Sequence, residues 1–210
     1  MVGAISKSNQ PLAELQNQQL NQTNQTNQTN QLTLEEFLAL SSTEPESEYL
    51  KGKIYQKPMS QGEHSTLQAE LVSRINQVAK PNKLAYARPE LRCTFGGRSI
   101  VPDIVILEWA NIPRQEDGRV AHKTEIPPDW IVEILSPEQS ANRVIEKIVF
   151  SIEFGTKLGW LIDPKGERVV VFYADGLPEI KTGEEQLPAL EIIKDWQLSA
   201  KDLFRWLYVE

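Results

Sequence analysis

The chain has 210 residues, 40% of them hydrophobic, and a formal net charge of −7. That length fits one domain plus a tail, with enough apolar residues for a sizeable core, and the acidic balance argues against coating nucleic acid through general basicity. The single cysteine, Cys93, excludes an internal disulfide framework and makes a cysteine zinc site a poor reading, and no stretch approaches the ~20 apolar residues of a membrane span.

Residues 1–31 are a low-complexity tail in which Asn-Gln-Thr recurs three times from Asn21. With almost no large apolar residue to bury, the tail cannot offset its ordering entropy and is expected to be disordered. Met1 to Gln10 lacks the apolar stretch of a secretory signal, so the expected compartment is cytoplasmic. The folded domain is expected over residues 32–210.

Thr33 and Glu36 form a Thr-x-x-Glu capping box and predict a short helix ending before Pro45. Residues 48–58 read as a hairpin turning at Lys51-Gly52-Lys53. Leu67, Leu71, Ile75 and Val78 recur at helical spacing and predict an amphipathic helix over 62–79. Leu84 to Phe95 alternates with period two, and Gly96-Gly97 turns it into a second strand, Ser99 to Leu107. A polar loop over 108–128 leads to a buried strand from Trp130 to Leu135. Ser136 then caps a helix beginning at Pro137, with Ala141, Val144, Ile145, Ile148, Val149 and Ile152 as its core stripe. Gly155 or Gly159 stops it. Trp160–Ile162 and Val169–Tyr173 are further strands, and Ser199–Trp206 a last short helix. This order predicts an α/β domain on a mixed sheet, with a right-handed crossover from the Glu133 strand to the Trp160 strand.

Two of these strands are apolar on both sides of the pleat, yet each carries one carboxylate, Asp103 in the first and Glu133 in the second. An ionised acid there costs several kcal/mol, on the order of the penalty for a buried ion, unless something positive meets it. Two such anions on neighbouring strands repel each other unless they share a divalent cation. With a lysine nearby, this is a recurring arrangement for phosphodiester cleavage. Arg74, Lys80, Lys83, Arg88, Arg92 and Arg98 face only Glu90 in their stretch, as a phosphate-binding face or a solvated polar one. Glu90 reads as a cross-strand partner of Arg88 and Arg92 or as a third metal-facing carboxylate. Glu63 complements a helix dipole or joins the site. His64 and His122 are the only histidines, so no two-histidine zinc centre is convincing; His64 is a candidate for positioning substrate.

Four segments in order, Glu63-His64, Val101-Pro102-Asp103-Ile104-Val105, Trp130-Ile131-Val132-Glu133-Ile134-Leu135-Ser136-Pro137 and Gly159-Trp160-Leu161-Ile162-Asp163-Pro164, resemble the Uma family of restriction-endonuclease-like proteins, within the PD-(D/E)XK nuclease superfamily. The resemblance spans roughly residues 33–208. It implies a restriction-endonuclease-like mixed β-sheet core flanked by helices and an endonuclease dependent on Mg²⁺ or Mn²⁺. Its substrate would be nucleic acid, with DNA expected. A homodimer is expected, because a duplex offers two strands to cut. The implied metal ligands are Asp103 and Glu133, with Glu90 auxiliary, and the implied catalytic set is Asp103, Glu133, Lys147 and Glu63. The superfamily motif would put lysine two residues after Glu133, where Leu135 stands. The resemblance moves it to the following helix, at Lys147, and sets Arg143 and Ser151 where the family tends to have Asp and Tyr. Counting turns from Pro137 slightly favours Arg143 as the residue level with Glu133; the resemblance favours Lys147. The alternative is a catalytically inactive nuclease fold that binds nucleic acid or protein, motivated by Leu135, Arg143 and the acidic net charge.

Overall fold

The computed structural model describes residues 32–60, 62–137 and 139–209, so the expected tail lies outside the described residues. After α1 (Leu34–Leu38), closed by the Thr33–Glu36 capping box, come the hairpin β1 (Ser47–Leu50) and β2 (Lys53–Gln56) and the long helix α2 (Gly62–Ala79). Next are β3 (Ala85–Pro89), β4 (Arg92–Phe95), β5 (Arg98–Ile100), β6 (Ile104–Glu108), the short β7 (Lys123–Thr124) and β8 (Trp130–Ile134). The chain continues through α3 (Ala141–Glu153), β9 (Leu158–Asp163), β10 (Arg168–Tyr173), β11 (Glu179–Thr182) and α4 (Ala200–Arg205).

The strands form two mixed sheets where a single one was expected. The first has the order β2-β1-β5-β4-β7 and the second β11-β10-β9-β8-β6-β3. β8 and β9 are parallel neighbours joined through α3, as the crossover requires. The second sheet is covered on both faces. Ile104, Val132 and Trp160 pack with Leu67, Leu71 and Ile75 of α2 and Leu203 of α4. On the opposite face Val105, Ile131 and Leu161 meet Val144 and Ile148 of α3 and Leu50, Cys93 and Ile100 of the first sheet. Two-sided coverage is why β6 and β8 read as unbroken apolar runs. Among the described residues no helix is long and apolar enough to cross a membrane.

Three expected elements are corrected. The alternating stretch from Leu84 to Phe95 is two strands of different sheets, broken at Glu90, whose φ is 50°. The expected strand from Ser99 to Leu107 divides into β5 and β6 around Pro102, which cannot donate to a ladder. Asp103 therefore lies at the junction between the sheets. The expected helix from Pro137 begins only at Ala141, and the Gln139 N–H donates instead to the Ser136 carbonyl at 3.0 Å. Its buried face runs through Val144, Lys147, Ile148 and Ser151, while Val149 is exposed. β7 and β11 carry no apolar alternation and were not expected.

Candidate active site

β6 and β8 run antiparallel with Ile104 opposite Val132 and Val105 opposite Ile131. Continuing that register by one residue sets Asp103 opposite Glu133. Side chains alternate along a strand, so Glu133 shares the face of Ile131, toward α3 and the first sheet. The Asp103 carboxylate accepts the Ile134 N–H through Oδ2 at 2.7 Å. Its Oδ1 takes the Lys57 ammonium at 2.8 Å and lies 3.5 Å from Nε2 of His64. The Asp103 carbonyl is held as well, by the Gln68 side chain at 2.8 Å and by the Glu90 N–H at 3.2 Å.

On the other side, Lys147 of α3 donates to Glu133 Oε2 at 3.0 Å and reaches Glu48 Oε1 of β1 at 2.8 Å. Glu48 Oε1 also accepts the Val101 N–H at 2.8 Å, which ties β1 to the sheet junction. Lys57 completes the cluster by approaching Glu90 at 3.5 Å. Two sheets, one helix and three connections thus converge on four carboxylates and two ammonium groups.

Burial decides the electrostatics. Glu133 is 0% exposed, and Asp103 and Lys147 are each 2% exposed. Desolvation lifts the Glu133 carboxyl to about 8 even though Lys147 pulls it down, with Asp103 and Glu48 adding to the rise. Lys147 is shared between Glu133 and Glu48, and one ammonium cannot compensate two buried anions. Those same carboxylates outweigh its own desolvation and hold Lys147 protonated, above the usual lysine range. Asp103 also meets desolvation, but Lys57, His64 and Lys147 with the Ile134 N–H overcome it and keep its carboxyl below its usual range. Lys57 is raised, its desolvation outweighed by Asp103 and Glu133. His64 is lowered, mainly by burial, which favours the neutral imidazole.

The residues expected from sequence are brought together unevenly. Asp103, Glu133 and Lys147 converge. Arg143 does not join them: its guanidinium lies 4.3 Å over the Tyr55 ring. Glu90 is at the rim, paired with Lys57, while Arg88 bonds the Ala121 carbonyl and Arg92 bonds Glu46. Glu63 is exposed, and its neighbour His64 is the residue that turns inward, with Nδ1 at 3.4 Å from the Ser136 hydroxyl. His122 is exposed. The expected basic face is largely occupied: Arg74 lies over Trp206, Lys80 over Tyr86 and Arg98 over Phe150. Sequence reasoning missed Glu48 and Lys57. Glu48 had a signal, since it shares a strand face with the buried Leu50; nothing in the spacing around Lys57 singles it out.

The donor set suits a hard divalent cation, because it offers carboxylate oxygens and no cysteine or paired histidine. Glu133 Oε1 is buried and without a hydrogen-bond partner among the described residues. Once Glu133 gives up its proton, above about 8, four carboxylates face only the two ammonium groups of Lys57 and Lys147, a deficit of positive charge that one divalent ion would make good. The carboxylates are nevertheless not drawn together as a cage: among the described residues no three His, Cys, Asp or Glu side chains are grouped to hold a metal.

A profile of the Uma2 family, described as putative restriction endonucleases, matches residues 34–201. The crystal structure of a putative nuclease belonging to DUF820 from Anabaena variabilis ATCC 29413 is similar with a TM-score of 0.82. It shares 48% sequence identity and covers 84% of this chain and 99% of its own. Among curated proteins no match was found. With the profile spanning most of its length and nearly half its aligned residues shared with that nuclease, the chain belongs to the Uma2 family of putative restriction endonucleases.

Proposed function

We propose that this protein is a Mg²⁺- or Mn²⁺-dependent endonuclease that hydrolyses phosphodiester bonds of DNA. The observation that carries the reading is the buried Oε1 of Glu133, without a hydrogen-bond partner among the described residues, with Asp103 beside it, two carboxylates held together at the cost of desolvation. Asp103 and Glu133 hold the cation, with Glu90 at the rim. When bound, a divalent cation supplies Lewis-acid polarisation of the phosphoryl oxygen and an acidified water.

The chain's own residues supply the rest. Lys147 fixes Glu133 through Oε2 and so leaves Oε1 as the open donor. The Ile134 N–H and Lys57 orient both oxygens of Asp103. Charge building on phosphorus is met by ammonium groups, Lys147 beside Glu133 and Lys57 beside Asp103. Lys57 adjoins the exposed Glu90 and is the cation nearer to solvent. His64 lies beside Asp103 on the α2 side, its Nε2 3.5 Å from Oδ1. Glu63 faces solvent, and a part for it would lie in contact with bound substrate.

Purified protein incubated with supercoiled plasmid, linear duplex and single-stranded DNA, with Mg²⁺ or Mn²⁺, tests the proposal. Metal-dependent cleavage lost in Asp103→Ala supports it, and cleavage that survives the substitution assigns the activity elsewhere. A second reading, an inactive nuclease fold that only binds, is favoured by one observation: the lysines already occupy Asp103 Oδ1 and Glu133 Oε2. Calorimetric titration with Mn²⁺ separates the two. Heat abolished by Asp103→Asn supports the metal centre, and its absence in the wild type supports the binding module.

A further inference from the structure

The β1–β2 hairpin carries a row of side chains past the buried cluster to the edge of the first sheet. Glu48 is the register partner of Tyr55, and Leu50 of Lys53. Alternation along the strands puts all four on one side, toward α3. Glu48 ends on Lys147. Tyr55, one strand further out, lies beneath Arg143, which precedes Lys147 by one helical turn on the same helix face. The buried Glu48–Lys147 pair therefore continues outward as the Tyr55–Arg143 pair.

A cavity of about 430 Å³ opens there, lined by Lys51, Lys53, Tyr55, Asn142, Arg143 and Glu146. Its three cations face a single carboxylate, Glu146, which is already paired with Lys51 at 2.8 Å and approached by Arg98 at 3.5 Å. The surplus of cations is felt at Glu146, whose carboxyl is held below its usual range by Lys51 first and then by Arg98 and Arg143. Arg143 and Lys53 are exposed, and among the described residues neither has a carboxylate partner. A local positive excess on a chain of net charge −7 marks this cavity as an anion site.

We propose that this cavity is a phosphate subsite for the substrate strand, in which Arg143 and Lys53 hold a backbone phosphate next to the one that is cut. The proposal rests on the nuclease reading for the identity of the ligand. Its spacing suits a nucleic-acid strand. One helical turn advances ~5.4 Å, and backbone charges recur every ~3.4 Å along one strand of a duplex, so Arg143 stands one to two phosphates from the Glu133–Lys147 pair. Stacking on Tyr55 pre-orients the guanidinium, so less side-chain freedom is lost when the phosphate arrives.

Anisotropy of a short fluorescein-labelled duplex, titrated with the full chain in EDTA over a salt series, tests the subsite without cleavage. Arg143→Gln combined with Lys53→Gln is expected to weaken binding on the order of tenfold and to reduce the salt slope by roughly 0.9 for each phosphate that is no longer neutralised. Lys194→Ala, on the opposite face of the second sheet, should bind like the wild type. Unchanged affinity and slope in the double variant overturn the subsite, as does an equal loss in Lys194→Ala or the absence of salt-dependent binding by the wild type. The nuclease reading stands or falls separately, on Asp103-dependent cleavage in Mn²⁺. Weakened binding without any cleavage would keep the subsite and refute the nuclease. Matching thermal melts of the variants and the wild type show that lost binding is not lost fold.

Discussion

At Glu133 burial and neighbouring charge pull against each other, and burial prevails: the carboxyl titrates at about 8 in the folded chain against an ordinary 4.5. Below ~4.5 the proton is held in both folded and unfolded chains. Between there and about 8 only the folded chain keeps it, so this group's contribution to stability is lost as pH rises and levels off above 8. Glu133→Gln removes the titration. In metal-free thermal melts the variant should therefore gain on the wild type from pH 5 to 8, and a constant difference would contradict the assignment. Metal and proton compete for the same carboxylate, so apparent Mn²⁺ affinity should rise by up to about tenfold per pH unit below 8 and flatten above it. Lys147 is the complementary case. Its removal leaves Glu133 and Glu48 buried without their cation, which costs on the order of 3–5 kcal/mol. Chemical denaturation of Lys147→Ala above pH 8, where Glu133 of the wild type is ionised, should show that loss, and Glu133→Gln in the same chain should recover part of it. Equal stability of Lys147→Ala and wild type would mean the pair carries no such coupling.

At the scale of elements, the seat of α3 on the second sheet decides where Lys147 ends. Gly159 of β9 faces α3, and a Cβ there would run into the Ile148 Cγ2 methyl. Gly159→Ala should push the helix off the strand at a cost of ~1–3 kcal/mol and move Lys147, the residue before Ile148, away from Glu133. The check is a melt together with Mn²⁺ calorimetry, and an unchanged Mn²⁺ affinity in a destabilised variant would uncouple helix seating from the site. This helix also shows what could be read in the sequence. Apolar periodicity found it, and Gly155, with φ of 113°, ends it as expected. Periodicity misplaced its start because Ser136-Pro137 has the form of a cap, while the Ser136 hydroxyl is directed to His64. Begun at Ala141, two turns of helix end at Lys147, so the count that seemed to favour Arg143 in fact favours Lys147. The paired acids were legible as lone charges in apolar runs. Lys57 was not, because a lysine in a connection is ordinarily solvated and only the meeting of the sheet junction with β2 buries it.

For the molecule as a whole, the site is a product of two sheets meeting: Glu48 comes from the first, Glu133 from the second, and Asp103 from the junction. A ligand that bridges Asp103 and Glu133 should stabilise the entire domain, by about 2.7 kcal/mol at a metal concentration a hundred times its Kd. Thermal melts with and without Mn²⁺ should show this for the wild type and not for Asp103→Asn; an equal shift in both would place the metal elsewhere. Cys93, 0% exposed in β4, has its thiol pushed up to about 12 by burial. Alkylation of the native chain at pH 8 should therefore follow domain opening, and rapid labelling would contradict the packed junction. The central claim, that this junction is a hydrolytic centre, is tested most directly by the rate of duplex cleavage under excess enzyme in Mn²⁺. Wild type and Glu133→Gln should be compared, since the amide retains the shape of the protonated acid. The account predicts cleavage by the wild type that EDTA abolishes and a loss of at least on the order of a hundredfold in Glu133→Gln; equal rates in the two, or cleavage that persists in EDTA, would contradict it.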